Sequence, residues 1–337
     1  MMVKNRIFYY DFLRAFAIIA VVMCHMGSFF GSFDTTPKLI FYNTFHGIGL
    51  MGVPIFLMLT GALLLNKKYD LGYFFKKRFL RIVPPFIFWL ILIMLFGFFI
   101  LKWDINFAIK IFMGEGSIMW YFWTLIGIYL FIPVINSFIR EYNMKGVEYF
   151  LIIWFITIIL KTFHFWPVFP PFEFNFNFEL NHFTDFMGFV ILGYYLANKD
   201  FKLKDIYMLL ISALITVISL AVYVYLTLNH INMGPVYQNL TNVFLAVGMF
   251  LLVKYVDKLN LFDKIQNKLI GNAIVSLSIC SYGVYFAHFI VYKYFKYLDI
   301  VHSNKFIPVM LMIVLGISWL IVFIISKIPY VNKVCGA

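Results

Sequence analysis

The chain alternates long apolar runs with short polar breaks, and about 17–25 predominantly apolar residues are what a helix needs to cross a bilayer core. Ten such windows follow one another, at residues 7–29, 43–65, 82–101, 118–139, 147–165, 184–197, 206–228, 236–256, 273–293 and 306–327. The sixth is the shortest, with an apolar core from Phe183 to Ala197 that draws on its flanks. The pattern predicts an all-α, polytopic membrane protein of about ten transmembrane helices. Residues 1–337 read as a single membrane domain with no appended soluble domain, since even the gap from Lys161 to Asp185 is full of Phe, Pro and Trp.

Composition agrees with the pattern. With 63% hydrophobic and 12% charged residues, and a mean hydropathy of +0.90, the apolar surface exceeds what a water-soluble core hides. Lys4 and Arg6 precede the first run as in a signal peptide, but Asp11 and Arg14 interrupt it and no clean cleavage site follows, so it reads as an uncleaved span. Cys24, Cys280 and Cys335 have no disulfide or metal-knuckle spacing and read as packing residues.

Charge then orients the chain. With the N-terminus inside, inner segments hold 18 Lys and Arg and outer loops seven, with Lys293, Lys296 and Lys305 on the minority side. This predicts both termini in the cytoplasm, with the bilayer as the first partner. The net charge of +12 is mostly a topology signal and gives no support to nucleic-acid binding.

Ionisable residues inside a membrane span are expensive and usually face a bundle interior or a wet cavity. The first window holds three: Asp11, Arg14 and His25. At about 100° per residue, eleven steps bring His25 to within roughly 20° of Arg14 and about 16 Å further along. One face thus carries a cation near one end and an imidazole near the other, and Asp11 is spaced to pair with Arg14. Between the second and third windows lies the densest basic cluster: Lys67, Lys68, Lys76, Lys77, Arg78 and Arg81, then Pro84-Pro85. It reads either as an anchor on anionic headgroups or as a phosphate site, since Arg78 and Arg81, three apart, can converge on one anion of a phosphate-rich ligand such as a nucleotide or coenzyme A.

Residues 164–185 differ in character. Trp166, Glu173, His182 and Asp185 stand among Phe and Pro, either as an interfacial aromatic belt or as a lip that stacks on sugar rings and holds hydroxyls. His46, His230, His288 and His302 read as satisfied polar residues near span ends or on a polar-aromatic face. No metal spacing, phosphate loop, dinucleotide fingerprint or nucleophile elbow occurs, so no metal is expected.

Three ordered segments carry a resemblance. Asp11-Phe12-Leu13-Arg14-Ala15 with His25, then Val53 to Gly61, then Phe75-Lys76-Lys77-Arg78-Phe79-Leu80-Arg81-Ile82-Val83-Pro84, are similar to the family-three membrane acyltransferases. Trp120 to Leu125, Gly188 to Tyr195 and Ser281 to His288 extend the likeness, with Thr60 where the family often has serine. The resemblance implies a ten-helix enzyme that moves an acyl group, usually acetyl, from cytoplasmic acyl-CoA to an extracytoplasmic or lipid-linked glycan hydroxyl.

Carried onto this chain, it makes His25 and Arg14 the catalytic pair. Arg78 and Arg81, with the adjacent Lys77, become the coenzyme A site, and Trp166, Glu173, His182 and Asp185 the candidate acceptor contacts. An imidazole titrates near neutral pH and suits the base that deprotonates an alcohol. His25 would be that base or would carry the acyl group. Arg14 would anchor the pantetheine arm, polarise the thioester carbonyl, or pair structurally with Asp11. The rival is a transporter or flippase of lipid-linked sugars; paired broken-helix repeats, common in transporters, are not apparent between residues 1–165 and 184–330.

Overall fold

The computed structural model describes residues 6–29, 35–164, 186–299 and 307–337. It is 81% helical, with no strand among the described residues. The helices are α1 Phe8–His25, α2 Thr36–Gly49, α3 Gly52–Leu64, α4 Leu71–Phe99, α5 Ile105–Met113, α6 Trp120–His164, α7 Met187–Asn198, α8 Asp205–Leu228, α9 Leu240–Lys258, α10 Asp263–Gln266, α11 Leu269–Tyr297 and α12 Ile307–Ile325. Local chemistry sets several ends. The carboxylates of Asp70 and Asp104 accept from the backbone N–H of Tyr73 and Phe107, each at 2.8 Å, and so start α4 and α5.

Among the described residues, eight helical stretches are long and apolar enough to cross a membrane. One of them, Thr36–Leu64, joins α2 and α3. Another, Trp120–Phe163, is 44 residues long and covers the predicted windows at 118–139 and 147–165. The polar break expected at Arg140 to Lys145 is a kink inside α6, where Asn143 adopts φ 54° and ψ −142°. Asparagine is one of the few side chains that enters positive φ readily. The predicted window at 184–197 appears as α7, only 12 residues long.

The chain is a polytopic membrane protein, and its helix faces show why. On α8 the exposed side chains include Leu210, Leu214, Val217 and Ile218; on α12 they include Val309, Met312, Leu320 and Ile324. Such apolar faces require lipid rather than water.

Two compact units are distinguished. The first comprises Met1–Gly27, Ser32–Lys67 and Ile135–Val275. Its tightest packing is between α3 and α7: a Cβ on Gly61 would land on the carbonyl of Val190, and one on Gly193 on the carbonyl of Met58. Backbones touch only where side chains are missing, a common way for membrane helices to associate when apolar burial gives no drive. In the same unit Lys254 is buried and its Nζ donates to the carbonyls of Leu196, Ala197 and Lys199 at 2.7, 3.1 and 3.2 Å, closing the C-terminal end of α7. Lys254, near the end of the predicted window at 236–256, is therefore a helix cap.

The second unit comprises Ser28–Gly31, Lys68–Val134 and Ser276–Ala337. Phe86 of α4 stacks on Phe122 of α6 with ring centroids 3.5 Å apart, and Phe286 of α11 meets it edge-on. Tyr285 O–H donates to the carbonyl of Ile118 at 2.6 Å. The last residues fold back into this core. Trp89 Nε1 donates to the carbonyl of Cys335 at 3.0 Å, and the Gly283 N–H to that of Gly336 at 3.1 Å, with Cys335 fully buried.

Candidate active site

The helix α1 has an apolar body with Asp11 in its first turn, where a carboxylate favours the N-terminal end of the dipole. Asp11 is 3% exposed. Its carboxylate takes a fork from Arg6, Nε to Oδ2 at 2.8 Å and Nη2 to Oδ1 at 2.6 Å, while Arg14 Nη1 lies at 3.5 Å from Oδ1. Arg6 is thus the closer partner of Asp11 and Arg14 the more distant one. The sequence reading overlooked Arg6 because it precedes the apolar run. A single buried carboxylate between two guanidinium groups fixes the base of α1.

His25 is the last residue of α1, followed by a single 3-10 turn at Met26–Phe29. It is half-buried. Arg14 and His25 therefore occupy opposite ends of one helix.

Against this upper end lies α2. Gly49 of α2 abuts the backbone of Cys24, where a Cβ would fall 2.7 Å from the amide nitrogen; a Cβ on Gly27 would fall 3.2 Å from the ring of Tyr42. Tyr42, His46 and Gly49 are spaced four and three apart and share one α2 face. His46 therefore lies level with the residues between Cys24 and Gly27, beside His25 in height. Its ring stacks on Tyr42 at 5.7 Å, and its Nδ1 is 2.8 Å from the hydroxyl of Tyr223 on α8. The thiol of Cys24 lies within electrostatic reach of both tyrosines. The partner of His46 is 177 residues distant, a pairing that no local pattern announces.

In the second unit, α4 opens with the basic cluster. Arg78 is partly buried, its guanidinium 5.8 Å from the ring centroid of Phe74, and its Nε is buried without a hydrogen-bond partner among the described residues. Arg81 is exposed. Lys77 is exposed too, with its Nζ donating to Tyr73 O–H at 3.3 Å. Just before α4, burial raises the pKa of Tyr69, and the nearby Arg78 guanidinium opposes that rise. Below the cluster, Tyr282 O–H donates to the carbonyl of Ile82 at 3.1 Å, two residues before Pro84. His288 on α11 is wholly buried with Nδ1 3.1 Å from the carbonyl of Val284.

Trp166, Glu173, His182 and Asp185 lie outside the described residues, as does His302. Among the described residues no group of three or more His, Cys, Asp or Glu is arranged to hold a metal ion.

The described structure is thus a polytopic helical chain with a polar pair along α1 and a basic cluster opening α4. Comparison with known proteins gives the class: the acyltransferase 3 family model, an acyltransferase domain, matches residues 7–326, nearly the whole chain. The chain belongs to that family and is a membrane acyltransferase. No curated protein and no solved structure matches it.

Proposed function

We propose that the protein transfers an acyl group, acetyl first among the candidates, from cytoplasmic acyl-CoA to a hydroxyl of an extracytoplasmic or lipid-linked glycan. The observation that carries the donor assignment is Arg78 Nε, a buried guanidinium N–H without a partner among the described residues, on a helix turn shared with Lys77 and Arg81. A buried unsatisfied donor is costly, and a charged one calls for an anion. The phosphates of coenzyme A supply one. Family membership supports acyl transfer over the transporter alternative. The charge asymmetry of the loops supports both termini inside, and the bacterial cytoplasmic membrane is the location that goes with a surface-glycan acceptor.

In this reading the acceptor oxygen attacks the thioester carbonyl while His25 takes the hydroxyl proton. The new C–O bond forms, the C–S bond breaks, and the proton passes to the departing thiolate to give the free thiol. A variant of the path has His25 carrying the acyl group first. Arg14 then lies along the pantetheine arm or polarises the thioester carbonyl, with Asp11 balancing its charge. Trp166, Glu173, His182 and Asp185 contribute acceptor contacts.

Titration of the purified protein with acetyl-CoA tests the donor site. Arg78→Ala with Arg81→Ala is expected to weaken binding by at least about tenfold, the worth of one charged hydrogen bond. Wild-type protein that fails to bind acyl-CoA, or a double variant that binds equally well, refutes the assignment.

A further inference from the structure

His46 is clamped in an unusual way for a histidine in a membrane-crossing stretch. Its ring lies between Tyr42, at 5.7 Å and 18°, and Tyr223, at 6.4 Å and 30°. Tyr223 also fixes its Nδ1 at 2.8 Å. The 2.8 Å contact fixes the ring's orientation, and in the tautomer taken here the phenol O–H donates to Nδ1 and the imidazole proton sits on Nε2. Nε2 makes no hydrogen bond to any described residue. The atom is not sealed off, so its N–H is open to an acceptor that reaches this end of the helices.

The packing of α2 says where that acceptor would be. Gly49 meets Cys24 and Tyr42 meets Gly27, so the intervening turn of α2 places His46 level with His25. Two imidazoles at one height on adjacent helices of one unit form a natural place for the alcohol that receives the acyl group: one holds an oxygen, the other takes a proton.

We propose that His46 is an acceptor-binding residue whose Nε2–H donates a hydrogen bond to a sugar oxygen and presents the neighbouring hydroxyl to His25. Tyr223 is a positioning residue that sets the tautomer, and Tyr42 fixes the ring plane. A sugar is favoured over a simple alcohol because it offers an acceptor oxygen for His46 beside the hydroxyl that reacts. The proposal rests on the acyl-transfer reading.

The test uses the full chain in lipid nanodiscs, with saturation-transfer NMR from the protein to a panel of methyl glycosides of hexoses and N-acetylhexosamines, and acetyl-CoA titration alongside. The wild type is expected to transfer saturation to at least one glycoside. His46→Ala and Tyr223→Phe are expected to weaken that binding about tenfold, the worth of one hydrogen bond in a dry site, while acetyl-CoA affinity stays within a factor of about two. His46→Gln, which keeps an N–H donor, is expected to recover part of the loss. Tyr223→Phe removes a single oxygen, so it separates the hydrogen bond from any packing loss in His46→Ala. Glycoside binding that is absent in the wild type, or unchanged in both variants, while acetyl-CoA still binds, overturns the acceptor role alone. Loss of acetyl-CoA binding in the wild type overturns the acyl-transfer reading and this proposal together.

Discussion

The contact between α3 and α7 invites a direct trial. Gly61→Ala adds one methyl group, and that methyl would occupy the position of the Val190 carbonyl. Carbon and oxygen need roughly 3.3 Å or more between centres, so the helices must part by about 1.5 Å or distort. Overfilling a packed interface costs about 1–3 kcal/mol where side chains can move. Here the obstacle is backbone, and a gap of this width also forfeits more than half of the dispersion along the seam, so a loss of about 3–5 kcal/mol is expected. At about 2–4 °C per kcal/mol for a unit of this size, the melting temperature falls by roughly 6–20 °C.

The assay is the temperature at which the protein leaves its monodisperse peak in size-exclusion chromatography. Gly193→Ala, aimed at the Met58 carbonyl from the facing helix, is expected to behave alike. The double variant is expected to lose clearly less than the sum, because one separation of the helices accommodates both methyl groups. Gly127 and Gly316 supply the control, since a Cβ there meets nothing within 4 Å. Alanine at either site is expected to be neutral or stabilising by up to about 1 kcal/mol through helix propensity. A Gly61→Ala protein that melts with the wild type, or a Gly316→Ala protein that falls as far, would show that the close approach is not what holds this interface.

Two further outcomes concern chemistry and the chain end. His25→Ala is expected to lower acyl transfer by about 10²–10⁴-fold with acetyl-CoA binding retained, as loss of a general base does; transfer undiminished at normal protein levels would remove His25 from the mechanism. Trp89→Phe deletes the donor to the Cys335 carbonyl, a hydrogen bond worth about 1 kcal/mol. In a background of Cys24→Ser and Cys280→Ser, maleimide labelling of Cys335 is expected to accelerate about fivefold, and an unchanged rate would count against the tail's attachment by this bond.

Much of the architecture lies in one-dimensional signals. Apolar runs mark the helices because lipid admits little else, and the family-like segments surface in the same order. Lipid exposure, however, says nothing about which cation serves a helix end, so the capping role of Lys254 shows only in its three carbonyl partners. The polar run around Asn143 was legible as a break between two helices, but composition could not say that the join narrows to a sharp kink at one positive-φ residue. At the site, spacing along α1 placed Arg14 and His25 on one helix and paired Asp11 with a cation. It could not rank Arg6 over Arg14, a choice made by side-chain reach at the helix start. The stack of Tyr42, His46 and Tyr223 joins two helices far apart in sequence, and only packing assembles it.

The tail seated against Trp89 also bears on how the protein is made. Trp89 and the carbonyl it holds are 246 residues apart in the chain. At a synthesis rate of about 5–20 residues per second, the indole waits roughly 12–50 s for its partner. For that interval α4 and the first turns of α6 are already in the bilayer with a seat for the tail unfilled, and Gly283, the tail's other contact, is itself a late arrival. The Trp89 seat of the second unit is therefore filled only after Cys335 has been made, so the packing around α4 closes late in synthesis.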